Sequence, residues 1–162
     1  ERKKDALTHI KKFSNNSLLV KSADVLANYS ELVDDYNRYG DETFNRFNAS
    51  KEEIIIHQLK VISAITTKWK DNPLYRDLVF LADSLRTLGS SEFMEQYPAE
   101  IIDIRDFKHD MKIKCPICDW KGTPESSDNI NTDSSVALDV RCPICDKMIL
   151  VAEYEIIKSK SK

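Results

Sequence analysis

The chain has 162 residues, 41% of them hydrophobic and 31% charged, which suits one medium domain or a helical domain with a small appendage. This composition excludes a largely disordered chain, and only three glycines and five prolines favour long helices over a loop-rich scaffold. The net charge of −3 is uneven: residues 1–21 carry six Lys/Arg against two acids, residues 22–104 eight against fifteen, and residues 105–162 ten against ten. No basic face of the kind that a duplex-binding protein presents is evident in that distribution.

The basic start reads as a solvated terminus, as does the Lys158, Lys160 and Lys162 tail. Over residues 23–39, Leu26, Tyr29, Val33 and Tyr36 recur every three or four positions and predict one helix face, which Gly40 stops. Ser50 and Glu53 form a capping box that opens a second helix running to about Lys70. Ile55, Leu59, Ile62 and Trp69 are expected to face inward there. Ile54, Val61 and Ile65 widen the stripe and suggest burial on more than one side. Asn72 and Pro73 are the expected cap and first-turn residue of a third helix. Its leucines 74, 78, 81, 85 and 88 line the core of a helical bundle in the preferred reading and a dimer seam in the other. Residues 91–97 suggest a further short helix.

Residues 98–114 are the joint. Ile102 and Ile104 alternate with charged residues there, and the boundary is placed near Ile104, with a helical domain at 1–104 and a second domain at 105–162. No Gly/Ser-rich spacer separates them, so close packing is expected. Beyond the joint the apolar period shortens from about 3.6 to about 2. Strands are expected at residues 111–114, 136–140 and 148–157, with a Ser/Asp/Asn-rich loop at 123–135.

Cys115-Pro-Ile-Cys118 and Cys142-Pro-Ile-Cys145 are the whole cysteine content. A Cys-x2-Cys pair wraps a tight turn around one metal ion and leaves two positions open, which a second pair fills. No histidine or further cysteine lies between the pairs, so a closed structural site is expected, holding one zinc per chain. Paired spacing of this kind favours a metal in a reducing, intracellular compartment over two disulfides. The chain shows no apolar run near the roughly 20 residues of a membrane-spanning helix, and no signal peptide.

The order strand, knuckle, loop, strand, knuckle, strand over residues 111–157 resembles the zinc-ribbon class, whose knuckles here would be Cys115/Cys118 and Cys142/Cys145. Together with the helical patterns before it, the resemblance gives the expected fold, an α+β chain with an N-terminal α-helical bundle followed by a small C-terminal zinc-ribbon β-sheet. It covers under a third of the sequence and implies a fold and a metal more than a function. Residues 1–104 resemble no recognised family. Many knuckles place glycine after the second cysteine; Asp119 and Asp146 stand there instead, and aspartate tolerates the left-handed conformation that the turn needs.

Iron is disfavoured because the ribbon offers only Trp120, Phe107 and Tyr154 as aromatic cover. A RING-type ligase needs eight ligands, which are not present. His57 reads as a structural histidine on the second helix. His109 reads as a surface residue, or a donor to the metal's surroundings. No phosphate loop, nucleophile elbow or other active-site constellation is found. Trp120, if exposed, is the candidate partner-binding residue. The expected function is a non-enzymatic adaptor docking through a protein partner onto a macromolecular complex, in transcription, replication or assembly. The alternatives are direct nucleic-acid binding by the ribbon, which is possible but not favoured, and a non-catalytic piece of a larger enzyme.

Overall fold

The computed structural model describes residues 7–89, 95–127, 130, 131 and 137–154, and shows helices first and a small sheet after them. After a helical turn at residues 7–10, helix α1 spans Asn15–Tyr39 and starts eight residues earlier than its apolar pattern predicts. Ser14 caps it with extended backbone, its hydroxyl accepting the Ser17 N–H at 3.3 Å. Asn15, Asn16 and Ser17 are weak helix formers and hide this first turn in the sequence. The buried face is also rotated from the expected one. Leu18, Val25 and Leu32, seven residues apart, are fully buried, while Leu26, Tyr29, Val33 and Tyr36 flank them half-buried. Gly40 ends the helix at φ 62° and ψ −144°, a conformation that side chains with a β-carbon avoid. The chain then tightens into a 3-10 turn at Gly40–Arg46 that buries Phe44.

Helix α2 spans Lys51–Lys68 and opens on the predicted capping box. The Glu53 N–H donates to the Ser50 hydroxyl and the Ser50 N–H donates to the Glu53 carboxylate, each at 3.2 Å. Ile54, Ile55, Leu59, Val61, Ile62 and Ile65 are all buried, the two-sided burial that the widened stripe implies, whereas Trp69 is only half-buried. Helix α3 spans Tyr75–Thr87, so Asn72 and Pro73 form a lead-in turn and not its first residues. Asn72 holds that turn three ways: its side-chain oxygen accepts the Leu74 N–H, its carbonyl accepts the Tyr75 N–H, and its amide donates to the Ser22 hydroxyl on α1, each at 2.9 Å. Leu78, Leu81, Leu85 and Leu88 are buried within the single chain. Most of the short helix expected at 91–97 lies outside the described residues.

Six strands follow among the described residues: β1 (Glu100–Asp103), β2 (Ile113–Lys114), β3 (Lys121–Gly122), β4 (Ile130–Asn131), β5 (Ala137–Arg141) and β6 (Met148–Glu153). β2 and β3 form an antiparallel hairpin, and the other four make a sheet in the order β1-β6-β5-β4. β5 and β6 are antiparallel, while β1 runs parallel to β6 in the register Glu100↔Leu150 to Asp103↔Glu153. Residues 100–103, expected on the helical side of a boundary near Ile104, are thus a strand of the C-terminal sheet. The strand expected at 111–114 shrinks to two residues. The loop expected at 123–135 contains a 3-10 turn at Glu125–Ser127 and the short β4, with its remainder partly outside the described residues. β6 ends at Glu153, and the expected extension to 157 falls outside them too. A single core cluster runs from the helix residues Ile55, Ile62 and Leu78 through Ile117 and Ile144 of the knuckles to Leu150 of the sheet.

Candidate metal centre

Each cysteine pair sits in a tight turn between two antiparallel strands, β2–β3 for the first and β5–β6 for the second. The two turns have the same backbone bonding. The Asp119 N–H donates to the Cys115 carbonyl at 3.2 Å and the Cys115 N–H to the Trp120 carbonyl at 2.8 Å. In the second knuckle, the Asp146 N–H donates to the Cys142 carbonyl at 3.0 Å and the Cys142 N–H to the Lys147 carbonyl at 2.8 Å. Reversal falls on the aspartates, with φ 63° at Asp119 and 53° at Asp146. They are the non-glycine residues with positive φ among the described residues. Left-handed backbone costs most side chains dearly, but aspartate less than most.

The four Sγ atoms all lie within 4.8 Å of one another, with Cys115–Cys145 at 3.7 Å and Cys118–Cys142 at 3.5 Å. A disulfide would need about 2.05 Å, and all four thiols are free. Four sulfurs at about 2.3 Å from one tetrahedral ion would stand about 3.8 Å apart, close to the observed pairs. Every one of the cysteines is at most 1% exposed, so the cluster has no side open to substrate. Hydrogen bonding from Cys118, Cys142 and Cys145 pulls the Cys115 thiol far below its ordinary range. Facing that charge, Cys118 and Cys145 are pushed far above theirs, chiefly through the bond with Cys115. Four thiolates at this spacing repel one another, and a dication is what lets them ionise together. The residues present therefore fit a four-coordinate metal ion such as zinc.

Charged groups repeat around both knuckles. The Asp119 carboxylate takes the Lys114 ammonium at 2.6 Å and that of Lys60, on α2, at 2.9 Å. Asp146 takes Arg141 at 3.3 Å and Arg86, on α3, at 3.6 Å. Partial burial works to raise the Asp119 pKa, yet the hydrogen bonds from Lys114 and Lys60 hold it below the usual carboxylate range. So each knuckle has a cation before its first cysteine, an aspartate after its second, and a cation reaching in from a different helix. Sequence reasoning did not find Lys60 and Arg86. A signal was present, because the repeat extends beyond the four identical letters to Lys114…Asp119 and Arg141…Asp146.

The other candidates do not join this cluster. Trp120 is only 8% exposed and does not offer an open face to a partner. Its ring lies over Gly122, where a β-carbon would collide with it and with the Ser126 hydroxyl. His109 is exposed, its ring edge-on to Phe107 with centroids 5.2 Å apart, and is not among the clustered ligands. His57 is half-buried on α2. Among the described residues, no helix is long and apolar enough to cross a membrane. No protein-family model matches the chain, and no curated protein or solved structure matches it significantly.

Proposed function

We propose that Cys115, Cys118, Cys142 and Cys145 hold one structural zinc ion in a zinc ribbon, within a non-enzymatic adaptor that docks onto a larger macromolecular complex. The observation that carries this reading is the burial of all four sulfurs in a site whose knuckles are tied into the helical core. A closed four-thiolate centre keeps no position for water or substrate, which is the mark of structural zinc. Iron in an electron-transfer role fits less well: Tyr154 is exposed and Phe107 half-buried, leaving Trp120 as the aromatic cover of the knuckles.

With Trp120 buried, the docking role passes to Phe80, which is 76% exposed on α3 beside a groove lined by Leu26, Val33 and Leu81. A protruding aromatic over an apolar groove is the kind of anchor that dominates protein interfaces. Affinity capture from the native source, with and without nuclease, tests the reading. A protein partner retained after digestion and lost with Phe80→Ala supports it. Fluorescence anisotropy with labelled DNA and RNA supplies the opposing arm. Any such binding is expected to fade as salt rises from about 50 to 200 mM, since each phosphate contact releases counterions. Sub-micromolar binding that persists at physiological salt overturns the adaptor reading in favour of direct nucleic-acid binding.

A further inference from the structure

A cleft of about 570 Å³ opens where the N-terminal turn, α2 and the first knuckle meet. That volume falls within the roughly 300–1,000 Å³ of small-molecule sites. Leu7 and Ala64, both half-buried, give it an aliphatic surface backed by the buried Ile10, and Thr67 adds a hydroxyl. Among the described residues no aromatic side chain lines it, so they give it no platform on which a base would stack. Its charged lining among the described residues is lopsided: Lys11, Lys60, Lys68 and Lys121 stand against Asp119 and the Cys118 sulfur of the thiolate cluster. In a chain with a net charge of −3, folding has gathered these cations from three distant segments.

The four lysines divide by what holds them. Lys60 is engaged by Asp119 at 2.9 Å. Lys68 donates to the carbonyls of Ile10, Lys11 and Phe13 at 3.0, 2.6 and 2.7 Å, which pins the N-terminal turn as one wall of the cleft. Lys11 and Lys121 make no side-chain hydrogen bond or ion pair among the described residues. A tetrathiolate centre would attract some of this positive charge. Asp119, however, is already shared by Lys60 and Lys114, and Lys11 belongs to the N-terminal turn, not to a knuckle. A surplus of uncommitted cations therefore borders an aliphatic surface.

We propose that this cleft binds a small anionic amphiphile, its aliphatic body against Leu7 and Ala64 and its phosphate or carboxylate head on Lys11 and Lys121. Lysine offers a compact point charge in place of arginine's two-pronged fork, so it accepts either head group. The inference does not depend on the adaptor reading.

Isothermal titration of the metal-loaded chain with hexyl phosphate, hexanol and inorganic phosphate tests it. Hexyl phosphate is expected to bind saturably, at least about tenfold tighter than hexanol or inorganic phosphate, because only it uses both halves of the cleft. The Lys11→Gln, Lys121→Gln double variant is expected to weaken hexyl phosphate by about tenfold or more, with metal content and melting temperature unchanged. Ala64→Leu, which narrows the interior, should weaken hexyl phosphate and hexanol alike. Equal affinity for hexanol, an unaffected double variant, or no saturable binding up to the millimolar range overturns the proposal. Vesicles of anionic phospholipid separate the two sources of such a head group. Binding to vesicles that hexyl phosphate competes away supports entry of a lipid head group into the cleft. Vesicle binding that it does not compete, with no binding of the free ligand, overturns the site. A single-stranded oligonucleotide that displaces hexyl phosphate stoichiometrically overturns it in favour of a nucleic-acid surface.

Discussion

Withdrawing the proposed zinc, by chelation or by Cys142→Ser, is expected to dismantle the cysteine-bearing hairpins and also to weaken the helices. Structural zinc contributes on the order of 10 kcal/mol to folding a small module. A whole domain is stable by only about 5–15 kcal/mol, so the knuckles should not survive its loss. The effect on the helices follows from Ile117 and Ile144, 0% and 2% exposed, which belong to the same core as Ile55 and Leu78. Burying one such side chain is worth about 1.5–3 kcal/mol, so uncovering both removes roughly 3–6 kcal/mol. That is a ceiling, because an unfolded segment keeps part of its apolar surface covered. The Lys60–Asp119 and Arg86–Asp146 pairs, partly exposed, add at most about 1 kcal/mol each. With a urea slope of about 1–3 kcal/mol per molar, a loss near that ceiling lowers the helical midpoint by about 1 M or more, and a smaller loss lowers it in proportion. Far-ultraviolet circular dichroism reads this directly: most helical signal persists in water, and the urea transition moves to lower concentration. A midpoint that stays put after elemental analysis has verified metal loss would refute the shared-core argument. Elemental analysis that finds iron, or no metal in protein purified without chelator, would refute the zinc.

Leu81→Ala should cost about 2–5 kcal/mol, as for other buried leucines, and leave the sedimenting mass unchanged. A dimer that separates into stable folded monomers would show that the leucines are a seam between chains. Gly122→Ala forces a β-carbon into the Trp120 ring and should destabilise by about 1–3 kcal/mol, with altered tryptophan fluorescence; an unchanged melting curve and spectrum would contradict the packing. The Asp103 carboxyl falls from 3.8 to about 2, held down by the Arg105 side chain and then by its backbone N–H, both of which donate to it. Its stabilising effect is therefore complete above the unfolded value near 3.8 and disappears as pH falls through about 2. A carboxyl-detected NMR titration should show that low midpoint in the wild type and a higher one in Arg105→Ala, which loses the guanidinium but keeps the backbone N–H.

What could be read from the sequence was local. The capping box at Ser50 and Glu53 needs only residues three apart, and the left-handed turns at Asp119 and Asp146 follow from the Cys-x2-Cys spacing around them. The clustering of the four cysteines was legible for the same reason, since two identical knuckles leave little freedom in how four sulfurs can meet. The start of α1 was not, because Asn15 and Asn16 disguise a helix whose true buried stripe runs through Leu18, Val25 and Leu32. Asn72 showed a cap but not its offset, which is set by its bond to Ser22 on another helix. The Lys60 and Arg86 pairings, the lysine-lined cleft and the burial of Trp120 all depend on how the cysteine-bearing hairpins settle on the helices. Such docking has no periodic trace in a one-dimensional string. The parallel strand at Glu100–Asp103 is the extreme case, since its partner lies about fifty residues away.

That long-range pairing sets an order of events during synthesis. The helices can begin to pack as soon as they emerge, because their contacts with one another lie among residues 15–88. β1 must then wait for β6, and the first knuckle must wait with two ligands for the two that come just before β6. Closing so long a loop carries an entropic cost that local helix contacts do not face. The nascent chain therefore passes through an interval with an unpaired strand edge and half of the cysteine cluster, appended to the helices. The sheet and the thiolate centre are completed together when the Cys142–Cys145 hairpin arrives. A ribosome that stalls short of Met148 leaves a helical body whose open strand is free to pair with any other extended segment nearby.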